Sequence, residues 1–179
     1  MTPPDQIRGD LGITAYTKPG LGLILLRDHI IGRERFDPAF QEYIRRWAYR
    51  HPTPADFFRT IEDGVGEDLS WFWRAWFYTT AQLDQAVDSV VLADSAGVES
   101  RIVLRNAGGI PMPVELALQL DDGSTARLRL PAEVWFHGGR YDAIVPGPRK
   151  VNRVTIDPDG AYPDARRENN QWPAAGGTP

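Results

Sequence analysis

The sequence predicts an α+β protein in which a helical lobe comes first and an antiparallel β-sandwich follows. In residues 1–86, glycine and proline separate segments whose apolar residues recur with the 3.6-residue period of a helix. From about Val87 apolar and polar residues alternate, which is the period of a strand with one buried face. We therefore expect a helical domain over 1–86, a sandwich domain over 87–165 and a C-terminal tail over 166–179.

The composition is that of an ordinary globular protein. Of 179 residues, 42% are hydrophobic and 25% are charged, so the chain can bury a core. The 20 Lys and Arg and the 24 Asp and Glu give a net charge of −4. This charge does not indicate a basic surface that binds nucleic acid. Cysteine is absent, which excludes disulfides and cysteine nucleophiles. No apolar run is long enough for a transmembrane segment and no signal peptide is evident, so the compartment stays open.

Four helices are expected in the first domain, at 19–31, 37–51, 53–64 and 68–78. Pro19 should lie just inside the first helix, and Asp37 should cap the second with Pro38 at its first helical position. Thr53 and Asp56 form a capping box for the third. The fourth is apolar on nearly all sides, so we expect it to be buried.

Seven short strands are expected, at 86–92, 98–105, 114–120, 125–130, 133–136, 141–145 and 151–156. Between the third and fourth, Asp122-Gly123 predicts a two-residue type I′ turn, because such a turn needs positive φ at both positions. Short antiparallel strands with one polar face predict a small immunoglobulin-like sandwich. The residues after Trp172 are expected to be disordered.

Most motifs of catalytic or metal sites are not found in the sequence. The histidines His29, His51 and His137 lie far apart, and there is no His-Glu-x-x-His zinc motif. Gly20 and Gly22 are expected to serve helix packing, since no strand precedes them as in a dinucleotide site. The carboxylates at 62–63 and 67–68 are expected to cap helices, with an acid–base pair as the alternative.

Tyr16 is the candidate catalytic residue. It stands just before the first predicted helix, where its hydroxyl can be held outside the helical lobe. A tyrosine hydroxyl is ordinarily protonated at pH 7 and can donate a hydrogen bond to a developing oxyanion. The alternative interpretation is an aromatic side chain that packs at the start of the helix.

The segment 16–20 (YTKPG) resembles the Tyr-x-Lys-Gly segment of the M1 family of zinc aminopeptidases, the gluzincins of the membrane alanyl aminopeptidase type. Further segments are similar to the helices that follow it in bacterial members: 32–40 (GRERFDPAF), 43–58 (YIRRWAYRHPTPADFF) and 67–77 (EDLSWFWRAWF). Residues 157–172 (DPDGAYPDARRENNQW) resemble the C-terminal signature of that group. The resemblance covers about residues 13–173.

The resemblance implies a C-terminal portion of an M1 metallopeptidase, in which the helices belong to a thermolysin-like domain. Tyr16 would be the tyrosine whose hydroxyl stabilises the tetrahedral intermediate beside the zinc. Intact family members use zinc, but the zinc motif lies before this tyrosine and is not in the chain. We therefore expect no zinc bound by this chain alone, and peptide as a substrate only if a zinc-bearing N-terminal lobe completes the site.

Two other interpretations stay open. The chain would be a non-catalytic interaction module whose functional part is the sandwich, or a degenerate fragment without function. Helices that pack against a zinc-bearing lobe in the family would here expose apolar surface.

Overall fold

The computed structural model describes residues 9–91, 99–147 and 150–174, and the chain divides into two compact units at Thr80–Ala81. The first unit is helical and the second consists of two antiparallel sheets. The α+β class and the order of helices before strands are therefore confirmed. None of the described helices combines the length and hydropathy of a membrane-crossing helix.

The first helix begins earlier than the sequence predicts. Residues 11–31 form one helical run, in which α1 (Lys18–Leu25) lies between two π-helical turns, Ile13–Thr17 and Leu26–Ile31. Pro19 therefore lies inside the run and not at its start. In the first π turn the Lys18 amide donates to the Ile13 carbonyl, five residues back. The wider turn accommodates a proline, which has no N–H and whose ring crowds the preceding turn.

The second helix also differs from the prediction. Helix α2 (Arg33–Trp47) begins after Gly32, whose φ of 93° breaks it from the preceding run, so Pro38 is inside the helix. Asp37 is not its N-cap. Its carboxylate instead accepts from Nε and Nη2 of Arg27, at 2.5 and 2.8 Å. The helix ends at Trp47, before the His51-Pro52 stop that the sequence predicts, and Tyr49 follows it with a φ of 60°.

Helices α3 (Pro54–Val65) and α4 (Ser70–Tyr78) complete the helical unit. The predicted capping box is confirmed, because Thr53 and Asp56 exchange side-chain-to-backbone hydrogen bonds. Helix α4 buries Phe72, Trp73 and Trp76, as its apolar sequence predicts. Its Trp73 ring stacks on Phe58 of α3 with centroids 4.5 Å apart.

The second unit contains seven described strands in two sheets. The strands are β1 (Gln85–Val91), β2 (Glu99–Asn106), β3 (Val114–Leu120), β4 (Thr125–Leu130), β5 (Arg140–Pro146), β6 (Val151–Ile156) and β7 (Gln171–Trp172). One sheet has the order β1-β2-β5 and the other β4-β3-β6-β7, with every pair antiparallel. The core holds alternate residues of these strands, including Ile102, Leu104, Leu116 and Val154.

Two local predictions in this unit are wrong. Residues 133–136 do not form a strand, because Ala132–Trp135 is a 3₁₀ turn behind Pro131. The Trp135 indole N–H donates to the Met112 carbonyl at 2.9 Å, which fixes that turn against the core. The β3–β4 connection is not a two-residue type I′ turn. Only Gly123 has positive φ (81°), and the Leu120 amide donates to the Ser124 carbonyl across a longer loop.

The segment at 157–172 folds back onto the start of the second unit. Asp164 accepts from the Gln85 amide at 2.9 Å, and buried Asp84 accepts from Arg166 at 2.6 Å and Asn169 at 2.8 Å. Strand β7, at the end of this segment, pairs with β6, and Pro173 just after it is buried. Of the residues that we expect to be disordered, 175–179 lie outside the described residues.

Candidate functional site

Tyr16 lies in the first π-helical turn and is 75% exposed. The structure thus places it inside the helical run and not ahead of a helix start. It is not an aromatic packed at the beginning of a helix, because most of its surface faces solvent. Short π-helical turns occur frequently at functional sites, and this one extends over Ile13–Thr17. A phenol in this position can reach a group that approaches the helix from outside.

Helix α4 fixes the backbone just after Tyr16. The Trp76 indole N–H donates to the Lys18 carbonyl at 2.9 Å, and the Lys18 ammonium donates to the Thr79 carbonyl at 3.4 Å. The Trp76 ring passes so close to the backbone at Gly22 that a Cβ there would lie 2.1 Å from its Nε1. The packing role expected of the glycines is therefore confirmed for Gly22. At Gly20 a Cβ would meet no atom within 4 Å.

The helical run around Tyr16 exposes other large apolar side chains. Leu11, Ile13 and Ile24 are 46%, 59% and 54% exposed. Helix α2 exposes Phe40 and Ile44 as well. These five large apolar side chains of the helical unit are therefore exposed to solvent.

The acidic residues near the α3–α4 turn accept hydrogen bonds from the start of α4 or pair with an arginine of α2. Glu62 accepts from the Leu69 amide at 3.0 Å and from the Trp73 indole at 3.1 Å. Asp68 accepts from the Ser70 amide at 2.8 Å, and this hydrogen bond lowers the pKa of its carboxyl group. Glu67 pairs with Arg35 at 2.9 Å. These contacts favour the capping role over an acid–base pair.

The described residues do not fit a metal ion. Across 9–91, 99–147 and 150–174, no group of three or more His, Cys, Asp or Glu side chains is placed to hold one. Sequence reasoning gave Gly22 a packing role but missed Trp76, which positions the helical run that carries Tyr16. The small residue at 22 and the aromatic content of 71–77 were visible, but their contact joins positions far apart in the chain.

A solved aminopeptidase structure shares this fold. The crystal structure of Legionella pneumophila aminopeptidase A in complex with aspartic acid matches 85% of this chain, with a TM-score of 0.59 and 17% sequence identity. The match spans 17% of the length of that chain. No protein-family model and no curated protein matches the sequence. The chain therefore shares its fold with a part of that structure.

Proposed function

We propose that this chain is the C-terminal portion of an M1-type zinc aminopeptidase, in which it supplies the wall of the peptide cleft that carries Tyr16. The observation that carries the proposal is the fold match, since it covers helices and strands alike over 85% of the chain. The sequence resemblance at 16–20, 32–77 and 157–172 supports the same assignment. The hydrolysis of N-terminal peptide bonds would belong to the completed enzyme.

Within this proposal Tyr16 is the catalytic residue of the chain. Its exposed hydroxyl would donate a hydrogen bond to the oxyanion that forms when the scissile carbonyl becomes tetrahedral. The Trp76–Lys18 hydrogen bond would hold the backbone that carries it. A group fixed before the reaction stabilises developing charge without reorganising, which is why this anchoring matters.

Zinc belongs to a different segment in this proposal, because the described residues do not fit it. That segment would carry the His-Glu-x-x-His motif, in the same polypeptide or in a separate one. Without it, the chain is expected to show no aminopeptidase activity.

The test is to search the reading frames beside the gene for a His-Glu-x-x-His segment and to assay the chain with and without it on aminoacyl p-nitroanilides. We expect hydrolysis only with both parts present, and a loss of about 10²-fold in kcat for Tyr16→Phe. Tyr49→Phe, at another exposed tyrosine of the same unit, is the matched control and should leave kcat unchanged. If no such segment exists, the interaction module becomes the better interpretation. Full activity of Tyr16→Phe in the completed enzyme would remove the catalytic role proposed for Tyr16.

A further inference from the structure

A groove of about 300 Å³ lies between α3 and α4. Each helix contributes an aromatic ring followed directly by an arginine, Phe58-Arg59 from α3 and Trp73-Arg74 from α4. Phe58 and Trp73 are buried and stacked, so they form a rigid floor. Tyr78, which is 53% exposed, forms an apolar wall. The groove belongs to the helical unit alone and does not involve Tyr16.

The groove carries a net positive charge, because Glu62 is the one acidic residue beside Arg59 and Arg74 in its lining. Hydrogen bonds from Thr53 lower the pKa of Asp56, which lies outside the lining, and the charge of Arg59 also lowers it. Neither Arg59 nor Arg74 forms an ion pair or hydrogen bond with another described residue, whereas many of the other arginines in the described ranges are paired. The acidic residue in the lining, Glu62, is already engaged by the Leu69 amide and the Trp73 indole. Two exposed guanidinium groups beside an aromatic floor therefore match a ligand that combines a carboxylate with an apolar group.

The size of the groove narrows the class of ligand. It has room for about one large side chain and an attached polar group, at the lower end of the volumes of ligand sites. In the last residue of a peptide the carboxylate and the side chain branch from the same Cα, so both fit a compact groove. An acidic residue inside a peptide carries the carboxylate on its own side chain. The apolar group then belongs to a neighbouring residue, whose side chain points in another direction.

We propose that the groove between α3 and α4 binds the carboxyl-terminal residue of a peptide whose last side chain is aromatic or large and aliphatic. The carboxylate pairs with Arg59 and Arg74, and the side chain lies against Trp73 and Tyr78. This site goes beyond the proposed peptidase function, and it can be tested without any catalytic activity.

The test is a titration of the ¹⁵N-labelled chain with N-acetylphenylalanine and with its neutral amide, followed at the assigned indole N–H of Trp73. We expect a saturable shift with the acid, and affinity for the amide that is weaker by about fivefold. Raising the salt concentration should weaken binding of the acid and leave binding of the amide unchanged.

Variants assign the effect to the two arginines. Arg59→Gln and Arg74→Gln should each weaken binding of the acid by about threefold. Arg50→Gln, at an exposed arginine outside the groove, should leave it unchanged. Equal affinity for acid and amide, or no saturable shift, would overturn the proposal. Equal binding of N-acetyl-Asp-Phe-amide would overturn it as well, because that peptide carries only an internal carboxylate.

Discussion

The indole nitrogen of Trp76 donates a hydrogen bond of 2.9 Å to the backbone carbonyl of Lys18, two residues beyond Tyr16. The contact joins α4 to the helical run at the point where a π-helical turn passes into α1. The same ring occupies the space beside Gly22. One buried tryptophan thus sets both how close the two helices come and where the backbone that carries the candidate phenol lies.

Gly22→Ala is expected to destabilise the helical unit by about 1–3 kcal/mol, because its Cβ would lie 2.1 Å from Trp76 Nε1. The matched control is Gly20→Ala in the same helix, where a Cβ meets nothing within 4 Å. That change should stabilise the helix by up to about 1 kcal/mol, since alanine is the better helix former. Urea unfolding followed by circular dichroism measures both. Equal changes in the free energy of unfolding for the two substitutions would contradict the close approach of the Trp76 ring to Gly22.

Asp84→Ala is expected to destabilise the second unit by about 2 kcal/mol. Asp84 is 5% exposed, and its carboxylate accepts from Arg166 and Asn169, so its removal leaves both donors without this partner. Asp88→Ala removes an exposed pair with Arg105 and should cost less than about 1 kcal/mol. The two variants are compared by denaturant unfolding. A cost at Asp88 as large as that at Asp84 would show that the fold-back of 157–172 adds no stability.

Local sequence signals predicted local structure well in this chain. The capping box at Thr53, the buried α4 and strands β3 and β4 follow from residues that are close in sequence, and all are confirmed. The start of α2 was misplaced because Pro38 resembles a helix start. The helix in fact begins five residues earlier, at Arg33, and lacks the hydrogen bond that an N–H at position 38 would donate. Strand β7 has two residues, too few to show an alternation of apolar and polar positions.

The candidate site was predictable only in part. The sequence drew attention to Tyr16, and the structure shows that it is exposed. Its positioning depends on Trp76, and the close approach at Gly22 depends on the crossing of two helices. Neither contact leaves a periodic pattern in the sequence, because its two partners are more than 50 residues apart. The groove at Arg59 and Arg74 was missed because it depends on how α3 and α4 pack against each other.

Stability is expected to fall as the pH rises from about 10 to 12. Burial raises the pKa of Tyr162 from 10.0 to about 12, so the ionised form is disfavoured in the folded state. The stability that un-ionised Tyr162 contributes is fully present below pH 10. It is lost as the pH rises through the pKa of Tyr162 in the folded state. A shift of two pKa units corresponds to about 3 kcal/mol.

Unfolding measured at several alkaline pH values tests this expectation. Tyr162→Phe should reduce the fall in the free energy of unfolding between pH 10 and 12, whatever the substitution does to stability at neutral pH. Tyr49→Phe, at a fully exposed tyrosine, should retain the decline of the parent chain. An unchanged slope for Tyr162→Phe would assign the alkaline loss to other groups.

The purified chain is expected to bind a hydrophobic dye or to self-associate, because Leu11, Ile13 and Ile24 are exposed along the first helical run. Replacing Ile13 and Ile24 together by serine should reduce dye fluorescence without lowering the unfolding midpoint. Ile144→Ser, at an exposed position in the second unit, is the control and should reduce it less. A monomer that binds no dye would contradict the expectation.

The fold-back of residues 157–172 has a consequence for biosynthesis. The partners of Asp84 and of the Gln85 amide lie 79 to 85 residues later in the chain, so the ribosome adds them well after β1. The sandwich therefore cannot close while the chain is still being translated through this segment. Helices α1 to α4 lie within one compact unit that ends at Thr80, so this unit can form before the fold-back segment has been added.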